Sequence, residues 1–347
     1  MLNKNVEPPI SIGIGTTGKC NLNCPHCYSN SVRNYSLSFE RIKRFLDGKN
    51  VTSINYGTGE NYLNSEFVKV VNYCHDRGIK QSLTSNGYSI KHLQDDIIQK
   101  FNDIDISLDF SNEKLQNEFR NGESWSLAQE SIEKCVRVGV EYSIVTAVMS
   151  INFMEIPMLL EMVKNIRCNL RLNIFKRVPY SNNKIFELNY EEFWKAIKLL
   201  FLNGKLISCS EPIVNAMLDI PPIVKKSPCG IKSIRIHPDG KIVPCVYWPD
   251  SSLCIDKMEP LNSIFKSEPF QLVSEIPPYC LKNCELVDIC GGGCASRRYL
   301  SDNIYEPDMY CPVYKDKPIP NIEITYDTNE KDLVHSSYLC TLIFSGK

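Results

Sequence analysis

The sequence predicts an α/β fold, a partial TIM-like (β/α)6 barrel followed by a small Cys-rich domain of β-hairpin and loops. Three observations predict it. Short apolar or β-branched runs alternate with segments of helical periodicity through the first two thirds of the 347 residues. Beyond them, one segment of alternating pattern crosses an Asp-Gly turn. Many of the sixteen cysteines cluster toward the two ends of the chain.

The six runs are the predicted strands. Six strands that alternate with helices predict parallel βα units, which curl into a full or partial barrel. In that architecture the chemistry lies in the loops that follow the C-terminal ends of the strands. The runs are ISIGIG (10–15), VTSINYG (51–57), IKQSLTSNG (79–87), DIDISLDF (103–110), YSIVTAVMS (142–150) and LRLNIF (170–175).

Two of the intervening segments show the helical period most clearly. Their apolar residues recur three and four positions apart, and each segment ends at a glycine, Gly78 in one and Gly139 in the other. Glycine just past the last periodic residue is typical of a helix C-terminus. The predicted buried faces are Phe67, Val70, Val71 and Cys74 in the first helix and Ala128, Ile132, Cys135 and Val136 in the second.

A second region begins near residue 227. SIRIHPDGKIVPC (233–245) alternates across its Asp-Gly pair, which predicts a β-hairpin. The rest is rich in Cys, Gly and Pro and needs more than a hydrophobic core to hold it together. We therefore predict an N-terminal extension (1–9), a barrel (10–226), a Cys-rich domain (227–320) and a tail (321–347) whose role the sequence does not show.

Composition narrows the class of protein. A net charge of −1 with no long block of like charges disfavours a nucleic-acid partner. The N-terminus lacks the pattern of a signal peptide, and the longest uncharged stretch, residues 142–154, is too short to span a bilayer. We therefore expect a cytoplasmic protein with no membrane partner, in which the cysteines stay reduced.

The first cysteine cluster is a C-x3-C-x2-C pattern formed by Cys20, Cys24 and Cys27 after the first predicted strand. A structural zinc site is one interpretation, but no fourth Cys or His follows at zinc-finger spacing. His26 lies between two of the cysteines, and we expect it to pack beside the site rather than bind a metal. The spacing and the position of this loop resemble the radical SAM superfamily.

The resemblance implies a [4Fe–4S] cluster held by three thiolates, with one iron left open. S-adenosylmethionine (SAM) would bind that iron through its amino and carboxylate groups. Reductive cleavage of its S–C5′ bond would give methionine and a 5′-deoxyadenosyl radical that takes hydrogen from an unactivated carbon. Flavodoxin or ferredoxin is the expected electron donor.

Further residues at the ends of predicted strands resemble the SAM-binding motifs of this family. YGTGENY (56–62) resembles its GGEP motif, although Thr58 replaces a glycine and Asn61 the proline, and TSNG (84–87) resembles a TNG motif. An ordinary turn or helix cap is the alternative at each position. By this resemblance the SAM-binding residues are Gly57, Gly59, Glu60, Ser85, Asn86, Ser107, Asp109, Asn152 and Arg177, with Arg171 as the alternative to Arg177.

Seven later cysteines form a second pattern, which resembles the SPASM extension of radical SAM enzymes. Its C-x3-C gap is one residue longer than usual, and structural zinc is the alternative. The resemblance implies two auxiliary [4Fe–4S] clusters, three clusters in all, with a crossed set of ligands. Cys280, Cys284, Cys290 and Cys311 would hold the outer auxiliary cluster, and Cys229, Cys245 and Cys294 the inner one.

The fourth ligand of the inner cluster stays open. This position would be filled by Cys209, by Cys254 or by a substrate group, or it would stay empty. Either cysteine could instead donate a hydrogen atom. Cys74 and Cys135 lie on apolar helical faces and are expected in the core. The Gly291–Gly293 run would let the chain turn tightly between the clusters.

The resemblance implies an enzyme that matures a ribosomally synthesised peptide by cross-linking, epimerisation or oxidation. A sulfatase maturase is disfavoured, because the Asp base that follows the inner-cluster cysteine in those enzymes is Val246 here. Tyr247 and Trp248 either line the substrate cavity or pack in the core. A radical dehydrogenase or epimerase of a sugar or alcohol and a non-catalytic iron–sulfur protein are the other hypotheses.

Overall fold

The computed structural model describes residues 8–178, 183–222, 225–301, 303–327 and 341–347. Within these residues one sheet contains all the strands. They are β1 (Ile10–Ile14), β2 (Val51–Tyr56), β3 (Lys80–Ser85), β4 (Asp103–Ser107), β5 (Tyr142–Val148), β6 (Asn169–Ile174), β7 (Lys205–Cys209), β8 (Ser233–Ile236), β9 (Ile242–Val243) and β10 (Thr341–Ser345). Their order across the sheet is β7-β10-β6-β5-β4-β3-β2-β1-β8-β9.

The six predicted strands are confirmed as β1 to β6. Each pairs in parallel with the next, so their C-terminal ends meet at one edge of the sheet. Apolar side chains on these strands, such as Ile12, Ile54, Leu83 and Ile104, are inaccessible to solvent. They lie on the face of the sheet opposite to the residues that line the barrel interior. The predicted α/β class, with a large parallel sheet consistent with a partial TIM-like barrel, is therefore confirmed.

Helices connect the parallel strands and cover the sheet. No helix in the described ranges is long and apolar enough to cross a bilayer. The helices are α1 (Phe39–Leu46), α2 (Phe67–Asp76), α3 (Tyr88–His92), α4 (Asp95–Ile98), α5 (Glu113–Arg120), α6 (Ser124–Val138), α7 (Ile156–Asn165), α8 (Tyr190–Asn203), α9 (Pro212–Met217), α10 (Leu261–Phe265), α11 (Glu268–Leu272), α12 (Pro278–Asn283), α13 (Val287–Cys290) and α14 (Ala295–Leu300).

The two predicted helical faces are those of α2 and α6. All four predicted residues of α2 are buried, and Ala128, Ile132 and Cys135 of α6 are buried as well. Val136 was assigned to the wrong face, since its side chain is 64% exposed. It lies eight residues after Ala128, about 80° round the helix from it and beyond the buried arc. Gly78 and Gly139 follow the helices with φ of 69° and 77°.

The predicted hairpin is confirmed as β8 and β9, which pair antiparallel. Strand β8 also pairs in parallel with β1, so the sheet continues from the predicted barrel into the predicted Cys-rich domain. The boundaries proposed for the domains stay predictions. The sheet itself is not interrupted at residue 227.

Strands β7 and β10 were not predicted. Strand β10 comes from the predicted tail and lies antiparallel between β6 and β7. Tyr326, also in the tail, forms a bridge with Leu206 of β7. The tail therefore completes one end of the sheet, while residues 328–340 lie outside the described part of the chain.

Candidate active site

The three cysteines of the first cluster lie in the loop after β1, at the C-terminal edge of the parallel strands. All three are half-buried and line one cavity of about 180 Å³, which we call the loop cavity. Burial raises the pKa of Cys20 to about 12 and of Cys24 to about 11. Without metal these two thiols are protonated at neutral pH, so metal binding would release protons.

Glu60 lies in the turn after β2 and faces the same cavity. Its carboxylate is buried and accepts hydrogen bonds from Ser85 Oγ (2.7 Å), Asn86 N (2.6 Å), Ser89 N (3.0 Å) and Ser89 Oγ (2.6 Å). Burial raises the pKa of Glu60, and these hydrogen bonds oppose the rise. The carboxylate is thus held in one position beside the cysteine loop.

Gly59 brings this turn against the cysteine loop. It has φ of 62°, and a Cβ there would lie 2.4 Å from Thr17 O and 2.7 Å from Lys19 O. Glu60 N donates to Lys19 O at 2.8 Å across the same contact. Only glycine fits this close approach without a shift of the backbone.

The two departures from the family motif also have structural roles. Asn61 is buried and its Oδ1 accepts from Thr16 N (3.1 Å) and Thr16 Oγ1 (2.7 Å), which ties the turn to the start of the cysteine loop. Thr58 Oγ1 lies 3.3 Å from Tyr28 Oη, which also donates to Gly57 O at 3.0 Å. Thr58 and Asn61, the two residues that differ from the family motif, therefore both contact the cysteine loop and help to fix its position.

Most of the predicted SAM-binding residues converge on the loop cavity. Asn86 touches the cysteine loop directly, since its Nδ2 lies 3.6 Å from Cys20 Sγ and 3.0 Å from Asn21 Oδ1. The predicted residues that line the cavity are Cys20, Cys24, Cys27, Gly57, Gly59, Glu60, Ser85, Asn86 and Ser107.

The structure does not bring Asp109, Asn152 or Arg177 to this cavity. Asp109 is fully buried and pairs with Arg120 (Oδ2 to Nη2, 2.7 Å). Asn152 donates to Asp109 O (3.0 Å) and Ala147 O (2.9 Å) and so closes its own loop. Arg177 Nε donates to Leu300 O at 3.0 Å. These residues hold the backbone instead of facing the loop cavity.

Arg171, the alternative to Arg177, lines the neighbouring cavity described below and pairs with Asp105 at 3.2 Å. Arg120 of α5 lines the loop cavity and was missed, because no motif or strand end marks it. It interacts electrostatically with Cys20 and Cys24. His26 stacks on Phe119 (4.8 Å between ring centroids), and burial lowers the pKa of His26 to about 4.

Cys229, Cys245 and Cys294 line a second cavity of about 150 Å³ inside the barrel, which we call the barrel cavity. All three are buried. Hydrogen bonding to Cys229 lowers the pKa of Cys245, and Cys294 also acts on this thiol. The structure therefore brings together the three cysteines that the resemblance assigned to an inner cluster.

The two cavities adjoin. Tyr28 and Tyr247 stand between the two groups of cysteines, with ring centroids 5.3 Å apart. Tyr247 therefore lines the cavity, whereas Trp248 is buried against Tyr299 at 4.3 Å. The residues that line both cavities are Tyr28, Gly57, Thr84, Val145, Asn173 and Tyr247.

The other four cysteines of the second pattern form a separate group. Electrostatic interactions link Cys280 to Cys284 and Cys311, and Cys290 to Cys280 and Cys311. The turn after Cys290 consists of Gly291, Gly292 and Gly293, with φ of 60°, 86° and 90°. These four are the cysteines that the resemblance assigned to the outer cluster, and that assignment stays a prediction.

Asp308 connects the two groups. Its Oδ2 accepts from Cys294 N (2.9 Å), its Oδ1 from Arg297 Nε (2.9 Å), and its carbonyl oxygen from Cys311 N (2.9 Å). Arg297 Nη2 also lies 2.7 Å from Glu211 Oε1. All three charged residues are buried, so one ion network joins both groups to the segment after β7.

Cys209 and Cys254 line neither cavity. Cys209 is buried in the apolar core at the end of β7, with its Sγ 3.9 Å from Glu211 O. Cys254 is half-buried beside Asp256 (Sγ to Oδ2, 3.3 Å). The structure therefore does not bring either thiol to the place where a fourth inner ligand or a hydrogen donor would act.

No three His, Cys, Asp or Glu side chains in the described ranges converge closely enough to hold a single metal ion. The thiols of a four-iron cluster each bind a different iron, so they need not meet at one point. Three half-buried thiols beside a fixed carboxylate are the donor set that such a cluster and an amino acid ligand require. These residues therefore fit a cluster and SAM.

The family comparison agrees with this donor set. Residues 14–163 match the family model described as Radical SAM superfamily. This part of the chain is thus similar to a radical SAM domain. The match covers the cysteine loop, the Glu60 turn and strands β2 to β5, and such a domain implies SAM and one [4Fe–4S] cluster. The second cysteine pattern lies outside the matched residues.

Curated relatives of the chain include enzymes with different substrates. The S-adenosylmethionine-dependent nucleotide dehydratase of Selenomonas ruminantium is 30% identical over 110 residues, 30% of this chain and 40% of that protein. The GTP 3′,8-cyclase of Helicobacter pylori is 24% identical over 265 residues, 69% of this chain and 81% of the cyclase. The antilisterial bacteriocin subtilosin biosynthesis protein AlbA of Bacillus subtilis is 23% identical over 331 residues, 85% of this chain and 70% of AlbA.

Two solved structures share the fold. The protein anSMEcpe, with bound AdoMet and Cp18Cys peptide, has a TM-score of 0.69 at 21% identity, covering 89% of this chain and 95% of that chain. Streptococcus suis SuiB bound to precursor peptide SuiA has a TM-score of 0.64 at 16% identity, covering 86% of this chain and 74% of SuiB. The likeness thus extends well beyond the radical SAM domain.

Proposed function

We propose that the chain is a radical SAM enzyme that modifies a peptide, with two auxiliary [4Fe–4S] clusters in its second half. The observation that carries the proposal is the pair of adjoining cavities. One holds Cys20, Cys24 and Cys27, the other Cys229 and its two partner thiols, and six residues line both. A substrate group at the shared wall would lie between the two groups of sulfurs.

The chain's own residues have separate tasks in this proposal. The three loop thiolates would hold the SAM-binding cluster, and Glu60 would accept from the amino group of SAM. Asn86 and Ser107 would face SAM from the ends of β3 and β4. When bound, this cofactor pair supplies a 5′-deoxyadenosyl radical that removes a hydrogen atom from the substrate. The buried walls of the two cavities would keep water away from that step.

The second half of the chain would hold the auxiliary clusters. Cys229, Cys245 and Cys294 are the proposed inner ligands, with the fourth position left to substrate or solvent, because Cys209 and Cys254 lie elsewhere. Cys280, Cys284, Cys290 and Cys311 are the proposed outer ligands. Such clusters would accept an electron from a substrate radical, which suits oxidation or cross-linking of a peptide.

Two kinds of similarity favour a peptide substrate. AlbA is named for the biosynthesis of a bacteriocin, and its alignment spans 85% of this chain. The structures of anSMEcpe and SuiB were solved with a bound peptide. We infer a ribosomally synthesised peptide encoded near this chain, with flavodoxin or ferredoxin as electron donor in the cytoplasm. Val246, which lines the barrel cavity, again disfavours the sulfatase reaction.

The test uses anaerobically reconstituted protein with dithionite, SAM and a short peptide encoded by a neighbouring gene. We expect 5′-deoxyadenosine and a changed mass or stereocentre in the peptide. The Cys20→Ala variant should lose both. Cys74→Ala, which removes a buried thiol of α2 away from both cavities, should keep both. A peptide unchanged in mass and at every stereocentre would reject the peptide substrate. Absence of 5′-deoxyadenosine would favour a non-catalytic iron–sulfur protein.

A small-molecule substrate is the second candidate. The barrel cavity of about 150 Å³ would admit one side chain or a small molecule, and the cyclase relative is named for GTP. The same assay, run with GTP and with simple sugars and alcohols in place of the peptide, distinguishes the two candidates. A modified nucleotide, sugar or alcohol would favour this second function.

A further inference from the structure

Six residues line both cavities, and their polar groups differ in whether the protein itself provides a hydrogen-bond partner. Gly57 and Val145 have no polar side chain. The hydroxyl of Tyr28 donates to Gly57 O at 3.0 Å. Thr84 Oγ1 donates to Asp105 Oδ2 at 3.3 Å. Four of the six residues therefore offer no unused polar group to a ligand.

Asn173 and Tyr247 are the other two residues. Both are half-buried. Within the part of the chain that the structure describes, neither the amide of Asn173 nor the hydroxyl of Tyr247 has a hydrogen-bond partner. Polar groups inside a protein are nearly always hydrogen-bonded to protein, water or a ligand. These two groups are therefore available to a molecule that occupies the shared wall.

Strand pairing fixes the place of Asn173. Its partner on β5 is Ala147, which lines the loop cavity, and its partner on β10 is Thr341, which lines the barrel cavity. Arg171, two residues earlier on β6, lines the barrel cavity from the same face of the sheet. Since both neighbouring strands hold its backbone, Asn173 presents its amide at the boundary between the two cavities.

Tyr247 reaches the same wall from the segment after β9, and contacts with other residues fix its ring. The ring of Tyr28 packs against it with 5.3 Å between ring centroids, and Lys176 Nζ lies 4.9 Å from its centroid. Both contacts are made with the ring and neither uses the hydroxyl. The hydroxyl is thus held in place without being occupied.

The position of the two residues favours the substrate over SAM as their ligand. Glu60, Ser85 and Asn86, which are proposed to bind SAM, line the loop cavity but not the barrel cavity. Asn173 and Tyr247 line both, so they lie further toward the second group of thiols. A molecule that extends from SAM into the barrel cavity passes these two polar groups.

We infer that Asn173 and Tyr247 determine substrate specificity by binding the backbone of the peptide residue that loses hydrogen. The inference rests on the proposed function, because it requires a peptide at the shared wall. The side-chain amide of Asn has a carbonyl acceptor beside an N–H donor. This pair matches the N–H and C=O of one residue in an extended peptide, as in an antiparallel strand pair. The hydroxyl of Tyr247 supplies one further hydrogen bond.

The test measures equilibrium binding of a short peptide encoded by a neighbouring gene. Holoenzyme with SAM but without dithionite does not turn over, so fluorescence anisotropy of the labelled peptide gives its affinity. Mass spectrometry of the wild-type product first locates the modified residue. An analogue then carries an ester oxygen in place of the backbone N–H of that residue. Wild-type protein should bind the analogue about tenfold more weakly, because Asn173 Oδ1 loses its donor.

Two variants remove the polar groups separately. Asn173→Leu keeps a similar size but has no amide, so it should bind the natural peptide about tenfold more weakly than wild type and bind the ester analogue equally well. Tyr247→Phe removes only the hydroxyl. It should weaken both peptides by the same factor, about threefold to tenfold, and keep the preference for the amide.

Asn169→Leu is the matched control. Asn169 is buried on β6 four residues before Asn173, so the same side chain lies on the same face of the strand. Its Oδ1 also lacks a partner within the described ranges, but it lines neither cavity. This variant should keep the peptide affinity and the preference for the amide within about twofold of wild type. All three variants should bind SAM within about twofold of wild type.

The results that would overturn the inference are distinct from failure of the proposed function. Wild-type protein that neither binds nor modifies the peptide would reject the peptide substrate itself. Wild-type protein that modifies the peptide but binds the amide and the ester equally would reject the inference alone. So would an Asn173→Leu variant that keeps the preference for the amide, or an Asn169→Leu variant that loses it. Weaker SAM binding by Asn173→Leu with that preference intact would assign Asn173 to the SAM site instead. An unchanged affinity in Tyr247→Phe would reject the role of Tyr247.

Discussion

The buried ion network of Arg297, Asp308 and Glu211 gives the sharpest stability prediction. The side chains of both carboxylates are 0% exposed and that of Arg297 1%. In Arg297→Met, a side chain of similar length removes the cation and leaves two carboxylates in the protein interior without it. Removal of one partner from a buried ion pair costs about 3–5 kcal/mol, because the other charge stays desolvated. This is a large part of a typical stability of about 5–15 kcal/mol.

Urea denaturation of holoenzyme at equal iron content measures this cost. Trp194 is a local fluorescent reporter, because its Nε1 donates to Tyr310 O at 3.0 Å and Tyr310 follows Asp308 by two residues. With a slope of about 3 kcal/mol per molar urea, the midpoint should fall by about 1–1.7 M. The second half of the chain should lose its cooperative transition first, since the network joins the two groups of cysteines there.

An exposed ion pair provides the control. Arg137 and Asp95 are 60% and 46% exposed, so Arg137→Met should cost less than about 1 kcal/mol. In the double variant Arg297→Met, Glu211→Gln, one of the two stranded charges is gone, so part of the loss should be recovered. A midpoint within 0.3 M (about 1 kcal/mol) of wild type for Arg297→Met would refute the reasoning.

Four further predictions concern the candidate site. Glu60→Gln should lower the equilibrium affinity for SAM about 10- to 100-fold, because a hydrogen bond to a charged group contributes about 1.5–3 kcal/mol. An unchanged affinity would show that Glu60 does not bind SAM. Gly59→Ala should lower the iron bound by the loop cysteines, since its Cβ would lie 2.4 Å from Thr17 O, whereas Gly48→Ala, with nothing within 4 Å, should not. Cys209→Ala and Cys254→Ala should leave 5′-deoxyadenosine formation within about twofold of wild type, as neither thiol lines a cavity; a loss above tenfold would restore the predicted role of that cysteine. Removal of iron by a chelator should expose residues 227–320 to proteolysis before the barrel, because metal bonds would supply stability there that apolar packing does not; equal cleavage of both regions would contradict this.

The sequence predicted those strands and helices that depend on the pattern of neighbouring residues. Strands β1 to β6 lie in short segments that contain apolar or β-branched residues, and two helices show their period and their terminal glycine, so a short-range pattern is sufficient to predict them. Val136 shows the limit of this reasoning, since the edge of a buried arc depends on what packs against the helix. Strands β7 and β10 are stabilised by pairing between residues more than one hundred positions apart, which no local pattern encodes.

The same distinction applies to the site. Residues at strand ends, such as Ser85 and Ser107, were proposed from the family resemblance, and the ends of parallel strands meet at one edge of the sheet and so bring them to the loop cavity. Asp109 and Asn152 lie further along their loops, where their side chains satisfy backbone and ion-pair partners that only the folded chain reveals. Arg120 could not be found from spacing, because it reaches the cavity from α5, eleven residues after Asp109. The partition of the seven later cysteines was taken from the family resemblance, and of it the structure brings Cys229, Cys245 and Cys294 to one cavity.

The insertion of β10 between β6 and β7 has a consequence for biosynthesis. Thr341 at its start lines the barrel cavity and accepts a hydrogen bond from Ser210 N at 2.9 Å. On the ribosome, every cysteine of the two patterns emerges before this strand, so sulfur ligands are available while the wall beside β6 is still open. A nascent chain that stops near residue 330 would therefore expose the unpaired edges of β6 and β7 to solvent, where they could pair with other strands. A cofactor inserted during translation could therefore enter between β6 and β7, until residues 341–345 pair with both strands.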